Sequence, residues 1–191
     1  MSGPAKPTTA ALRLSHLGGD ALDQWERVLR LHGRLAPTRT NPPDVEPARS
    51  NGLDDVWNFF AACFHLNDWV IGAGMKTRKE VNDFIENSAA ATSGSAPRTV
   101  WLMQVCRDIA NGTKHYKLDP ARPTTGNADW TTTTVFTYDS GRETAHWLFV
   151  DDAGQYVDLF AVADACLDAW QKFLDIGPGK PNPYGFRIRR P

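Results

Sequence analysis

The sequence predicts an α+β domain, a helical bundle of four to five helices with a three-stranded antiparallel β-meander inserted before the last helix. Apolar residues recur at helical spacing over most of the chain. From residue 130 to about 160, β-branched and aromatic residues replace that pattern. Turn signals at Asp139-Ser140-Gly141 and Asp152-Ala153-Gly154 divide this stretch into three short strands.

Five stretches carry the helical pattern. They are residues 20–35, 53–71, 78–87, about 97 to at least 110, and 162–175. The second stretch is apolar on nearly every face, so we expect it at the centre of the fold. Pro37 is expected to end the first helix. The small-residue segment 88–97 is expected to be a loop.

Length and composition are those of one globular domain. The chain has 191 residues, of which 41% are hydrophobic and 23% charged. We divide it into a flexible N-terminal arm (1–17), a single domain (18–176) and a Pro/Gly-rich basic tail (177–191). The formal net charge of −1 excludes binding to nucleic acid or membrane through bulk charge, so such a contact needs a local patch.

The sequence favours a cytoplasmic protein without membrane contact. It contains no stretch of ~20 predominantly apolar residues, and its start lacks a secretory signal. The cysteines, Cys63, Cys106 and Cys166, are odd in number and lie in apolar segments, so we expect reduced core thiols. They lack the spacing of a zinc site, and neither a metal nor a cofactor is predicted. Most of the seven tryptophans are also expected in the core.

Two polar segments interrupt the apolar helices. In the first, HLNDW, His65 and Asp68 are three residues apart and share one helix face, where Asp68 is placed to orient the His65 ring. In the second, CRDIANGTKH, a stripe at four-residue spacing contains Arg107, Asn111 and His115, with Lys114 beside it. The stripe requires a continuous helix, and the alternative is a helix that stops at Asn111-Gly112.

Both segments lie towards the C-terminal ends of their helices. If successive helices alternate in direction, the second and fourth helices run parallel and the two segments meet at one end of the bundle. Imidazoles, cations, an amide and a carboxylate gathered there are suited to binding a phosphate and moving a proton near neutral pH. The same set also suits a hydrogen-bonded structural plug between helices.

The two motifs resemble an uncharacterised group of bacterial and phage proteins, in which an HLxDW helix is followed by a helix ending in N-x-x-K-H. More distantly, the chain is similar to HEPN domains. These are small helical bundles, often dimeric, of toxin–antitoxin and phage-defence systems, and many are metal-independent ribonucleases. The resemblance implies Arg107 as the phosphate-binding cation and His115 as the general acid or base.

The sequence therefore favours an RNA-directed, HEPN-like protein that acts as a metal-independent ribonuclease of a toxin or phage-defence system. The candidate catalytic residues are His65, Asp68, Arg107, Asn111, Lys114 and His115. Two alternatives stay open: a protein-interaction module with a structural plug, and a sensor of a nucleotide or other small ligand. The corresponding partners are RNA or a nucleotide, another protein, and a second copy of the chain.

Overall fold

A computed structural model describes residues 20–40, 48–91, 99–112, 131–139, 142–150 and 156–176. The helices in these ranges are α1 (Ala21–Thr40), α2 (Ala48–Gly72), α3 (Arg78–Asn87), α4 (Leu102–Gly112) and α5 (Leu159–Phe173). The strands are β1 (Ala89–Ala91), β2 (Thr99–Trp101), β3 (Thr131–Asp139), β4 (Arg142–Val150) and β5 (Tyr156–Asp158). The expected arm 1–17, the tail 177–191, Lys114 and His115 lie outside the described residues.

Helices dominate the described chain and antiparallel strands accompany them, which confirms the α+β class. One sheet has the strand order β3-β4-β5 and lies between α4 and α5 in the chain. In it Thr131 is opposite Val150, and Asp139 is opposite Arg142. The other edge of β4 pairs with β5, where Val150 faces Tyr156. The final helix follows β5 directly and contacts both β4 and β5.

The core is built around α2, which packs against α1, α3 and α4. Six of its side chains have 0% exposure: Val56, Phe59, Phe60, Cys63, Leu66 and Val70. The prediction that this apolar helix is central is therefore confirmed. Trp25 of α1 and Trp170 of α5 are also fully buried, whereas Trp101 of β2 is 41% exposed. The tryptophan pattern is thus mixed, because Trp101 lies in a short strand at the surface.

Two helix boundaries differ from the expected ones. The first helix continues through Pro37 to Thr40, so the prediction that Pro37 ends it is wrong. Proline removes one backbone donor, but its fixed φ of about −65° is itself helical. The second helix begins at Ala48, five positions before the expected Leu53. Here the polar residues ahead of the apolar run add an N-terminal turn that the hydrophobic pattern does not reveal.

The segment expected to be a loop contains a strand. Strand β1 pairs antiparallel with β2, with Ala90 opposite Val100, and α4 begins only at Leu102. The Leu102 N–H donates to the Ser88 carbonyl oxygen over 2.9 Å, which extends this pairing. Alanine has a weak strand propensity. The partner strand, anchored by the buried Val100, supplies the missing stabilisation.

Side-chain caps fix the first residues of α3 and α5. The expected bounds of α3 are confirmed, and Thr77 and Glu80 form a capping box in which the Glu80 N–H donates to Thr77 Oγ1 over 3.2 Å. At α5, Asp158 caps the helix by accepting from the Ala161 N–H over 2.8 Å. This cap starts α5 at Leu159, three residues before the expected start.

Candidate functional site

The HLNDW motif presents its polar groups differently from the expected pairing. Asp68 is exposed and His65 is half-buried. In the described part of the chain no hydrogen bond or ion pair joins them, because Asp68 is solvated on the outer side of α2. Asn67 is instead the buried polar residue, at 4% exposure, and its Nδ2 donates to the Phe64 carbonyl oxygen over 2.7 Å. The amide therefore belongs to the interior of α2.

Arg107 and Asp108 are the two charged residues of α4. Asp108 is only 8% exposed, and Arg107 Nε lies 3.7 Å from its Oδ1. Burial raises the pKa of Asp108 from its ordinary 3.8 to about 6, against a smaller lowering by the Arg107 guanidinium. The Oδ1 atom has no hydrogen-bond partner among the described residues, since a distance of 3.7 Å is too long for a hydrogen bond.

The Arg107 guanidinium remains available to a ligand. Its side chain is 29% exposed, and its contact with Asp108 uses Nε. No further hydrogen bond or ion pair engages this guanidinium within the described ranges. Its two terminal nitrogens therefore keep the forked donor geometry that binds phosphate oxygens in pairs.

Asn111 lies one helical turn beyond Arg107 and is half-buried, so the two residues follow the same face of α4. The continuation of this stripe to Lys114 and His115 falls outside the described residues. Helices α2 and α4 pack against each other, as the convergence of the two motifs requires. No hydrogen bond or ion pair links His65 to Arg107 or Asn111 in the ranges given above.

The sequence places Asp108 as the polar residue after Arg107 but does not predict its burial, because an aspartate in a helix is usually solvated. The sequence signal for its burial is the apolar character of its neighbours in the helix. These are Val105, Cys106, Ile109 and Ala110, and all four are buried. A single carboxylate in the middle of such a run needs a reason, because burial of its charge is costly.

A second ion pair that the sequence did not predict joins α1 to α5. His32 Nε2 and Asp164 Oδ1 are 2.8 Å apart, with side chains 19% and 27% exposed. The ring of Phe59 packs edge-on against the His32 imidazole, with centroids 5.5 Å apart. Each residue interrupts an apolar helix face, and this interruption is the sequence signal for the pair. The pair stabilises the contact between the first and last helices.

The three cysteines converge although they are far apart in the chain. Cys106 Sγ and Cys166 Sγ are 3.6 Å apart, and Cys63 is a third thiol next to Cys106. All three are free and fully buried, as expected for core thiols. Burial raises the pKa of Cys63, and it raises the pKa of Cys106 and Cys166 well above the ordinary thiol value. These thiols are therefore protonated and unreactive in the folded protein.

We expect the native protein to resist labelling by an aromatic disulfide reagent at pH 8 and to release all three thiols in denaturant. Reaction of a buried, protonated thiol requires opening of the core. The variant Asn82→Cys, at an exposed position of α3, is the positive control and should react at once with one thiol. Native labelling of the wild type at the control's rate would contradict the burial of the three thiols.

No described helix combines the length and the apolar character that a membrane crossing requires. In the same residues no group of three or more His, Cys, Asp and Glu side chains is arranged to hold a metal ion. No protein-family model, curated protein or solved structure matches the chain. The site itself is therefore the basis for a functional proposal.

Proposed function

We propose that the protein is an RNA-directed, HEPN-like protein that cleaves RNA without a metal ion, with the Arg107 end of α4 as its phosphate-binding site. The Arg107–Asp108 pair carries this proposal. A partly exposed guanidinium with free terminal nitrogens lies beside a buried carboxyl whose pKa is raised to about 6. Charged groups with such shifted pKa values are concentrated at functional sites.

The chemistry requires stabilisation of charge and two proton transfers. A ribose 2′-OH attacks the adjacent phosphorus, the bond to the 5′-oxygen breaks, and the products are a 2′,3′-cyclic phosphate and a 5′-hydroxyl. Arg107 stabilises the negative charge that develops on the phosphate oxygens. His115, or His65 on α2, removes the 2′-OH proton and returns a proton to the leaving oxygen.

Asp108 acts on this site through Arg107. Above its pKa the ionised carboxylate partly neutralises the guanidinium, and below it the full charge of Arg107 is available to RNA. Binding of RNA phosphates should therefore strengthen as the pH falls from 8 towards 6, at constant salt.

A hydrogen-bonded structural plug is the alternative interpretation of the same residues. A plug would stabilise the fold through hydrogen bonds between helices, so removal of one of its members would lower the melting temperature rather than the activity.

Cleavage of a mixed RNA pool in EDTA tests the proposal. The wild type should produce 2′,3′-cyclic phosphate ends. Arg107→Ala and His115→Ala should each reduce cleavage tenfold or more. His115→Ala should not change the melting temperature, and Arg107→Ala should lower it only slightly, since the guanidinium partly offsets the burial of Asp108. Arg78→Ala, which removes an exposed arginine from the start of α3, is the matched control and should cleave as the wild type does.

Three results would overturn the proposal. They are a wild type that leaves RNA intact, an Arg107→Ala variant with full activity, and activity that requires a divalent metal. If the wild type does not cleave and Arg107→Ala or His115→Ala melts lower, the cluster is a structural tie.

A further inference from the structure

A second candidate site lies between α3 and α5. A cleft of about 640 Å³ that is widely open to solvent is lined by these helices, by the start of β1 and by Leu102 of α4. Its volume falls in the range typical of small-molecule sites. It shares no residue with the Arg107–Asp108 pair.

The interior of the cleft is apolar. Ala90, Ala165 and Ala169 line it with methyl groups only, which leaves space above them unfilled. Phe84 and Phe173 form one wall, with stacked rings whose centroids are 4.2 Å apart and whose planes differ by 6°. Such a wall accommodates the flat ring of a ligand through aromatic contacts.

Two lining charges remain unused by the protein. Glu80 belongs to the α3 capping box, and Asp83 pairs with Lys79. The Asp168 carboxylate and the Lys172 ammonium, by contrast, form no hydrogen bond or ion pair with any described residue. They are one turn apart on the same face of α5, at a separation of ~6 Å along the helix. The cleft therefore offers one free group of each sign.

A buried hydroxyl adds an independent polar group. Ser88 lines the cleft, and its Oγ atom is buried without a hydrogen-bond partner among the described residues. The free charges of Asp168 and Lys172 and the apolar interior, taken together, fit a ligand that carries an ammonium, a carboxylate and an apolar body.

We propose that this cleft binds a zwitterionic α-amino acid with an aromatic side chain. Its ammonium pairs with Asp168, and its carboxylate pairs with Lys172. The ring rests on the alanines beside Phe84 and Phe173. The two charged pairs are exposed, so each contributes modestly, and burial of the ring supplies most of the affinity.

Binding of three matched ligands to the intact chain tests this assignment. L-Phenylalanine carries both charges, 2-phenylethylamine lacks the carboxylate, and 3-phenylpropanoate lacks the ammonium. We expect calorimetry to give the lowest Kd for L-phenylalanine and a rise in melting temperature with its concentration. Each analogue should bind about fivefold more weakly, as the loss of one exposed ion pair implies.

Variants identify the groups involved. Asp168→Asn should weaken binding of L-phenylalanine about fivefold and leave binding of 3-phenylpropanoate unchanged. Lys172→Gln should also weaken binding of L-phenylalanine about fivefold, but it should leave binding of 2-phenylethylamine unchanged. Ala169→Leu should place a larger side chain where the ring rests, beside Phe84 and Phe173, and weaken binding of all three ligands. Asp54→Asn, at an exposed position of α2, is the control and should bind as the wild type does.

The proposal is overturned if none of the three ligands binds to the wild type. It is also overturned if both analogues bind as tightly as L-phenylalanine, or if a folded Ala169→Leu variant retains full affinity.

Discussion

Replacement of Asp108 by asparagine is expected to stabilise the protein at pH 8 by about 2–3 kcal/mol. The carboxyl is 8% exposed, and burial raises its pKa from 3.8 to about 6. At pH 8 the wild type must therefore hold a charge in an environment that disfavours it. Asparagine has nearly the same shape and no charge, so it removes this cost.

The pH dependence of this stability difference follows from proton binding by Asp108. Between pH 3.8 and about 6 the folded state holds a proton on Asp108 that the unfolded state has released. Stability therefore falls as the pH rises through this window, and the cost is complete above it. The asparagine variant should differ little from the wild type at pH 4 and most at pH 8.

Urea unfolding of the wild type and of Asp108→Asn at several pH values between 4 and 8 measures this difference. Asp54→Asn is the control, because it makes the same substitution at an exposed position of α2. A gain in stability that does not change with pH, or a loss at pH 8, would contradict the raised pKa of Asp108.

The same variant connects stability with the proposed function. Asparagine removes the charge that partly neutralises Arg107 at pH 8. RNA binding by Asp108→Asn should therefore lose the increase between pH 8 and pH 6 that we expect for the wild type. Retention of that increase would assign it to another group.

Truncation of Trp170 to alanine is expected to lower the free energy of unfolding by about 3–5 kcal/mol. This side chain has 0% exposure and packs edge-on against Phe84 and Phe173, at centroid distances of 4.8 and 5.8 Å. Its removal leaves a cavity behind the stacked pair. In a chain of this size the loss corresponds to a fall of about 10 °C in melting temperature.

Trp101→Ala is the matched control, since it deletes the same side chain at a position that is 41% exposed. Its melting temperature should stay close to that of the wild type. Trp170→Phe should be milder than Trp170→Ala, because it keeps a ring and removes an indole N–H that has no hydrogen-bond partner in the described residues. Equal losses for Trp170→Ala and Trp101→Ala would contradict the packing described above.

Features set by near neighbours in the chain were predictable. The bounds of α3 follow from the capping pair Thr77 and Glu80 and from the apolar positions Val81, Phe84 and Ile85 that come after it, all within three turns of helix. The central place of α2 follows from its own composition, because a helix that is apolar over most of its surface is stable only when neighbouring elements cover that surface. The burial of the cysteines followed in the same way from their apolar surroundings.

Features that depend on distant partners were not predictable. The β1 strand forms because Val100 is placed opposite Ala90, and the Cys106–Cys166 contact joins residues sixty positions apart. The His32–Asp164 pair spans 132 positions. Each depends on how the helices pack, and hydrophobic periodicity fixes the face of a helix but not its neighbour.

The candidate site also has features set by near neighbours in the chain and features set by distant partners. The sequence by itself determined that Arg107 and Asn111 share one face of a helix, since their spacing matches the helical repeat. Only the tertiary structure decided that Asp68 is solvated while Asp108 is buried, with its pKa raised to about 6. Both are aspartates within apolar helices. Their charges differ in energy because the surrounding helices exclude water from one and leave the other exposed.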